Sequence, residues 1–306
     1  MAEPIVEAIR GGKPAEVRAA LRSKPGAATL ARAVVMAAGR AWQAALEVLR
    51  KNGADPELTG AWPPARAIVV AAFMGEPEFV KHLRPATQMD GFAGAALGDR
   101  KLVEKALKSD AAFPHQRDHG GLTSLQCACG GRMPRGEYLA IARLLLDAGA
   151  DVRVRTKSWA HELDASYYAA GSKETALLEL LLENGCDPHE ALGHTVWGKR
   201  FELAEMAMRH GASADSAMHK GKPLLNNLIR WEQIMQAMWL LDHGASPNLA
   251  DKKDWTAVHQ AASRGNGRML RAVLKAGGDT SRRDKDGRLP QDVANAKWSR
   301  AVAASR

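Results

Sequence analysis

The sequence predicts an all-α fold built from a row of short helix pairs, and three observations carry this prediction. A glycine motif recurs at intervals of about 33 residues, which is typical of repeat architectures. Only 5% of the 306 residues are aromatic, a thin supply for two large globular cores. Hydrophobic residues make up 46% of the chain and charged residues 25%, values that exclude a disordered, collagenous or disulfide-scaffold protein.

The recurring motif contains two leucine-like residues, two polar residues, a glycine, a small residue and then Asp or Ser. Its glycines are Gly53, Gly149, Gly185, Gly211, Gly244 and Gly277. From Gly149 onward the spacings are 36, 26, 33 and 33 residues, and the interval from Gly53 to Gly149 is 96, or three units of 32. Because each glycine follows an apolar-periodic stretch, we expect it to end a helix in the left-handed conformation.

One complete unit is visible in the segment from residue 251 to residue 279. Thr256 is a candidate N-cap of a first helix, since its hydroxyl can accept from free backbone amides. Ala261 and Ala262 are small enough to let neighbouring helices approach closely. Gly265 allows a tight turn into a second helix, predicted over residues 268–276. One unit is therefore a helix, a turn, a second helix and a loop.

This segment resembles the ankyrin repeat, with Asp254 in place of the usual finger glycine and Ala257 in place of the usual proline. A looser copy begins at Asp118 and carries about five extra residues between Gly130 and Glu137, compared with the period of about 33 residues. The resemblance implies an ankyrin-repeat solenoid of about nine to ten helix pairs with a few short β-hairpin fingers. Neighbouring pairs must then stack, because one unit cannot bury its apolar face alone.

The quality of the match divides the chain into three parts. Residues 1–306 are interpreted as a single ankyrin-like solenoid, in which residues 1–117 are degenerate repeats that keep the helix rhythm without the finger signature. Residues 118–288 match the repeat better, and residues 289–306 form a C-terminal cap.

The resemblance implies a protein-binding scaffold, because ankyrin proteins typically bind through their finger tips and the solvent-facing side of the first helices. Mapped onto this sequence, the candidate partner-binding residues are Trp197, His219, Arg230, Lys252, Lys253, Trp255, Ser263, Arg264, Lys285 and Arg288. The net charge is +9, and the residues from Asp251 onward contribute 13 − 6 = +7 of it. We therefore expect a basic, Trp-containing concave groove and an acidic protein partner.

Several of these features allow a second interpretation. Trp197 and Trp231 either contact a partner or fill gaps beside the short 26-residue repeat. The alternating segment with Arg153, Arg155 and Lys157 either contacts phosphate or an acidic peptide, or keeps the edge of a hairpin finger from pairing. This edge and the basic C-terminal half make nucleic-acid binding the alternative function.

No catalytic motif is found, so we expect a protein that is not an enzyme and has neither cofactor nor metal. If the chain were an enzyme or a metal protein, its best candidate pocket would combine His115, His119 and Cys127, or else His161, Tyr167 and Trp197. The first pair of histidines lies in a loop, however, and Cys127 and Cys129 point about 200° apart on a helix. His259 occupies the family's histidine position, where the resemblance implies a structural role.

The sequence also indicates in which cellular compartment the protein is located. Three cysteines in so long a chain cannot form a disulfide framework. No window approaches the ~18 uninterrupted apolar residues of a membrane span, and acidic residues stand near the N-terminus where a secretory signal needs basic ones. We therefore expect a reducing cytoplasm and no membrane partner.

Overall fold

The computed structural model describes residues 3–59, 65–158, 161–218 and 221–294, and eighteen α-helices account for most of this part of the chain. The helices form nine successive antiparallel pairs, which agrees with the predicted all-α repeat fold. The chain divides into two compact units, Met1–Cys186 (unit 1) and Asp187–Arg306 (unit 2). The expected boundaries at residues 117 and 288 remain predictions.

Unit 1 contains six helix pairs among its described residues. They are α1 (Pro4–Arg10), α2 (Pro14–Leu21), α3 (Ala27–Gly39), α4 (Gln43–Lys51), α5 (Ala67–Met74), α6 (Pro77–Leu83), α7 (Gly91–Leu97), α8 (Arg100–Ser109), α9 (Ser124–Gly130), α10 (Tyr138–Asp147), α11 (Ala165–Ala170) and α12 (Ala176–Glu183). The first helices α1, α3, α5, α7, α9 and α11 pack in this order, and each also packs against its own second helix. The result is a two-layer stack of neighbouring pairs.

Unit 2 contains three helix pairs in its described part. They are α13 (Pro188–Trp197), α14 (Phe201–Arg209), α15 (Leu224–Arg230), α16 (Ile234–Asp242), α17 (Ala257–Arg264) and α18 (Gly267–Lys275). First helix α15 packs against α17, and second helix α16 packs against α18. The ring of Phe201 stacks on the ring of Trp239 with centroids 5.3 Å apart, which joins α14 to α16.

Two short antiparallel hairpins stand before first helices. Strand β1 (Thr156–Ser158) pairs with β2 (His161–Leu163), and β3 (Ala217–Met218) pairs with β4 (Lys222–Pro223). The first hairpin lies where the alternating basic segment predicted a finger. The predicted 26-residue repeat has a simple cause, because α13 begins at Pro188, three residues after Gly185, and leaves no room for a finger.

The repeat glycines confirm the predicted helix ends. All six motif glycines have positive φ values, between 82° and 98°, and Gly265 has a φ of 64° in the turn between α17 and α18. These angles are ones that side chains with a Cβ atom rarely adopt. Helix α18 begins and ends one residue earlier than predicted, because the Asn266 side chain accepts from the Met269 N–H and caps it there.

Thin layers between helices account for the scarcity of aromatic residues. Every residue of α7 is buried, and five of its seven residues are glycine or alanine. A Cβ atom on Gly94 would lie 2.5 Å from the Cβ of Leu102 on α8, so this glycine is required by the close approach of the two helices. Such contacts leave little space for rings.

Candidate functional site

A polar side chain in the first turn of a first helix forms hydrogen bonds to the finger that follows in the next repeat. Gln126 is buried, and its Nε2 donates to the carbonyl oxygens of Val154 (3.0 Å) and Leu163 (3.1 Å). His259 holds the equivalent position in α17, where its Nε2 lies 3.3 Å from the Arg288 carbonyl oxygen. The structural role implied for His259 is thereby confirmed.

The His259 ring also caps its own helix. Its Nδ1 lies 3.0 Å from the Thr256 hydroxyl oxygen and accepts from the Thr256 N–H at 3.3 Å, so Thr256 is the N-cap that the sequence predicted. Burial lowers the pKa of His259, and the nearby Asp284 and Asp251 carboxylates oppose this shift without reversing it. The neutral ring is the form that fits this position.

Trp255, one of the candidate partner-binding residues, lies just before α17 and is joined to the segment that follows α18. Its Nε1–H donates to the Asp284 carboxylate at 2.9 Å. The Arg288 guanidinium bonds the same carboxylate, at 2.9 Å from Nε, and also reaches Asp286 at 2.7 Å. Burial raises the pKa of Asp284, but the hydrogen bonds from Arg288 and Trp255 outweigh it and hold that pKa well below its usual range. The polar groups of Trp255 and Arg288 therefore bond within the chain and stabilise the contact with Asp284.

The candidate residues fall into two rows and do not meet in one cluster. The finger row contains Lys252, Lys253, Trp255, Lys285 and Arg288, and the turn row contains Trp197, Arg230, Ser263 and Arg264. His219 lies outside the described residues. The rows flank opposite ends of the first helices, and the eight residues of α17 separate them by about 12 Å at about 1.5 Å per residue.

Lysines form the exposed part of the finger row. Lys252, Lys253 and Lys285 are all exposed, and none has an ion pair among the described residues. The backbone N–H of Lys285 donates to the Lys253 carbonyl oxygen at 3.1 Å, which joins the loop before α17 to the segment after α18. These ammonium groups therefore face solvent, without a carboxylate partner in the described part of the chain.

The turn row is cationic and borders on an apolar surface. Arg230 and Arg264 are exposed and make no ion pair in the described chain, while Trp197 and Ser263 are half-buried. Trp231 lies next to Arg230 and is 60% exposed, so the interpretation that it fills a gap is wrong. Met235, four residues further on, is also 60% exposed. Met235 was missed as a candidate, whereas Trp231 was left between contact with a partner and gap filling.

In unit 1, the extra residues between Gly130 and Glu137 cover the corresponding turn edge. Arg132 Nη1 donates to the carbonyl oxygens of Phe73 (2.8 Å) and Gly130 (2.9 Å), and its Nε donates to that of Gly171 (3.1 Å). These carbonyls belong to the C-terminal ends of α5, α9 and α11. One guanidinium thus bridges three first helices, where the negative end of the helix dipole favours a cation.

Tyr138 fixes the other end of this insertion. Its hydroxyl accepts from the Met133 N–H at 2.7 Å and donates to the Ala96 carbonyl oxygen of α7 at 3.2 Å. Burial raises the pKa of Tyr138 to about 12, so the phenol stays protonated and remains a donor. A depression of about 430 Å³ beside the insertion is lined by Lys81 and Arg100, but these cations are already paired with Glu78 and Glu104.

The residues considered for a metal site are dispersed. His115 and His119 are exposed, whereas Cys127 and Cys129 are buried in α9, where burial raises the pKa of both thiols. The side chain of His161 lies outside the described residues. Within the described ranges, no group of three or more His, Cys, Asp or Glu side chains could hold a metal ion. Nor does any described helix have the length and apolar character needed to cross a membrane.

Comparison with known families identifies two repeats. Residues 120–157 match the model described as "Ankyrin repeat", and residues 227–274 match the one described as "Ankyrin repeats (many copies)". The first of these segments contains α9 and α10, and the second spans most of α15 through α18.

Relatives and solved structures agree with these matches. An ankyrin repeat-containing protein of Schizosaccharomyces pombe is 44% identical over 50 residues, 16% of this chain and 24% of that protein. The cyclin-dependent kinase 4 inhibitor B of Bos taurus is 48% identical over 65 residues, 21% of this chain and 50% of the inhibitor. The match therefore spans half or less of these relatives. The human ASB11 ankyrin repeat domain superposes with a TM-score of 0.54 at 23% identity, covering 71% of this chain and 97% of that domain, which shows a shared fold.

Proposed function

Because this chain is an ankyrin-repeat protein, we propose that it is a scaffold that binds an acidic protein partner through the finger row and turn row of unit 2. Ankyrin repeats generally mediate protein–protein interaction, and their stacked helices present a surface that loses little entropy on association. The observation that carries the proposal is a set of exposed cations without ion pairs in the described chain, namely Arg230, Lys252, Lys253, Arg264 and Lys285.

An acidic partner fits these cations for a physical reason. Guanidinium groups bind carboxylates with two parallel hydrogen bonds, and an unpaired guanidinium has no internal bond to break before it does so. Charge complementarity of this kind raises the association rate and excludes basic partners. The scaffold acts by binding, so the proposal includes no catalytic step. It also places the chain in a reducing cytoplasm, in keeping with three buried cysteines that remain free thiols.

Nucleic-acid binding remains the alternative, and one contact weighs against it. In the basic segment before the first hairpin, Arg153 Nε lies 3.1 Å from the Asp151 carboxylate and is paired within the chain. Asp251 and Asp254 also stand beside the lysines of the finger row. Carboxylates at these positions reduce the attraction for a continuous phosphate backbone.

Affinity capture from the native lysate with the full chain as bait tests the proposal. The triple variant Arg230→Glu, Lys253→Glu, Arg264→Glu is compared with Lys101→Glu, Lys105→Glu, Lys108→Glu, which makes the same charge change on α8 of unit 1. We expect proteins recovered by the wild-type chain to be lost from the first variant and retained by the second. Equal recovery by both variants would contradict a binding surface on unit 2.

The same capture separates the alternative. Bound nucleic acid that is released between about 50 and 200 mM salt, as counterion release requires, would favour the nucleic-acid function instead. Protein recovery at both salt concentrations supports the scaffold.

A further inference from the structure

The turns between the first and second helices of unit 2 have the same backbone conformation at equivalent positions. Lys199, Glu232 and Gly265 have φ values of 58°, 57° and 64°, and they are 33 residues apart. Positions around these residues are therefore equivalent from repeat to repeat: Trp231 corresponds to Arg264, and Met235 corresponds to Arg268. Because α15 packs on α17 and α16 on α18, these equivalent positions lie about 10 Å apart, the usual spacing of packed helices.

The equivalent positions place two apolar side chains and three arginines along one edge of unit 2. We call this edge the turn patch, and it consists of Arg230, Trp231, Met235, Arg264 and Arg268. Trp231 and Met235 are more exposed than any other large hydrophobic side chains in the described chain. Single exposed apolar residues are ordinary, but an exposed Trp and Met in one turn, bordered by guanidinium groups, have the composition of an interface centre.

The three arginines are free to bind. All three are exposed, and the described residues provide no ion pair or side-chain hydrogen bond for any of them. Elsewhere the chain pairs surface arginines locally, as Arg100 with Glu104 and Arg10 with Glu7. A guanidinium that finds no partner on its own helix is suited to a carboxylate from outside.

From this arrangement we infer that the turn patch docks an acidic protein segment that carries a large apolar side chain. The inference rests on the proposed function and assigns its main contact to one row. The apolar side chain packs on Trp231 and Met235, while flanking carboxylates bind the arginines. A nucleic acid fits less well, because Met235 offers no ring for base stacking.

Unit 2 keeps this edge open, since no insertion follows its first helices. Three residues separate α15 from α16, and two separate α17 from α18, so these turns carry no segment comparable to the one around Arg132. In unit 1 the insertion itself provides the contacts to the helix ends. The turn patch therefore presents its side chains to a second molecule.

Selection from a display library of random peptides, with the full chain as target, tests the inference. We expect the enriched peptides to carry Asp or Glu on both sides of a large apolar residue. Binding of a synthesised, fluorescein-labelled enriched peptide is then measured by anisotropy. Trp231→Ser and the double variant Arg264→Glu, Arg268→Glu should each weaken it by about tenfold or more, as expected for interface anchors.

The matched control is Lys101→Glu, Lys105→Glu on α8 of unit 1, which makes the same charge change outside both rows and should change the affinity by less than about twofold. The finger-row variant Lys252→Glu, Lys253→Glu is measured beside it and should weaken binding less than either turn-patch variant. All substituted residues are exposed, so the variants should fold, and circular dichroism checks this. Enriched peptides without acidic residues, or no enrichment at all, would overturn the inference. Displacement of the peptide by a DNA duplex at low salt would do the same and assign the patch to nucleic acid.

One outcome separates this inference from the proposed function. If the peptides lose affinity only in the finger-row variant, the turn patch is not the docking site, but the scaffold function stands. If neither peptides nor lysate proteins bind the wild-type chain, both fail.

Discussion

The turn edges of the two units use the same chemistry for opposite purposes. In unit 1, Arg132 and Tyr138 point into the chain and bond the carbonyl oxygens at the ends of first helices. In unit 2, Arg264 and Trp231 occupy comparable edges but remain in solvent. The difference comes from a few inserted residues, which bring the guanidinium within reach of backbone acceptors in one unit only. A guanidinium and an aromatic ring therefore stabilise the fold where acceptors are near and remain available for binding where they are not.

The largest expected effect is the loss of the Arg132 bridge. Hydrogen bonds that involve a charged group contribute about 1.5–3 kcal/mol each and are not additive, so we expect Arg132→Ala to lower the free energy of unfolding by about 3 kcal/mol. The matched substitution Arg264→Ala should lower it by less than about 0.5 kcal/mol, since that side chain has no internal partner. Urea denaturation of both variants measures the difference.

Hydrogen exchange locates the effect within the chain. In the Arg132→Ala variant, amides of α5, α9 and α11 should exchange faster, while α15 and α17 keep their protection. A similar loss of stability in both variants would contradict the difference between the two edges, because it would mean that Arg264 also stabilises the fold.

Local features of this fold could be predicted from the sequence, whereas contacts between distant repeats could not. The motif glycines and the Thr256 N-cap depend on residues within one turn of each other, and both predictions are confirmed. The extra residues after Gly130 were noticed, but their role was not. Arg132 bonds Phe73, 59 positions earlier, and Gly171, 39 positions later, and no local pattern contains that information.

The same limit explains the tryptophans of unit 2. Trp255 was predicted to contact a partner, yet its indole N–H is bonded to Asp284, 29 residues further on. Trp231 was left between two interpretations, and its exposure depends on how the α15–α16 turn projects from the stack. Residue type alone therefore could not separate exposed tryptophans from bonded ones, because the packing of neighbouring repeats decides which side chains are free.

The segment after α18 should respond to removal of the Asp284 charge, with a smaller effect than that of Arg132. Asp284→Asn removes the ion pair with Arg288 and weakens the bond to Trp255, so amides of residues 251–289 should exchange faster. Because the pKa of Asp284 is lowered in the folded chain, its contribution is fully present above the ordinary value of 3.8 and is lost as the pH falls through the folded value.

Acid denaturation checks this sign. Wild-type unit 2 should lose protection as the pH decreases below about 4, and the Asn variant should show a weaker dependence in that range. Equal acid sensitivity of the two proteins would mean that the Asp284 carboxylate does not hold the segment after α18 in place.

A still smaller effect is expected for Tyr138→Phe. The substitution keeps the ring but leaves the Met133 N–H without its acceptor and the Ala96 carbonyl without its donor, a cost of about 1 kcal/mol. Urea denaturation measures it. A neutral result would show that the insertion is held by Arg132 alone and would sharpen the contrast between the two turn edges.

The smallest effect concerns the pH response of His259, where unit 1 supplies the template for the variant. Gln126 makes the same two kinds of contact without a titratable ring, since its Oε1 accepts from the Thr123 N–H at 2.9 Å and its Nε2 reaches the next finger. His259→Gln should therefore keep the stability of unit 2 at pH 7.

The lowered pKa of His259 fixes the sign of the pH effect, because the unfolded chain binds the proton more readily than the folded one. The stabilising contribution of the neutral ring is fully present above the ordinary value of 6.5 and is lost as the pH falls towards the folded value. Hydrogen exchange of α17 at pH 7 and pH 5, corrected for intrinsic rates, should show a decline in the wild-type chain that His259→Gln reduces. The exposed His210→Gln serves as the control and should leave the decline unchanged. If the protection of α17 declines as steeply in the Gln variant as in the wild type, the pH response originates elsewhere in unit 2. The contacts that Gln126 and His259 make to the following segment would then be equivalent in the two units.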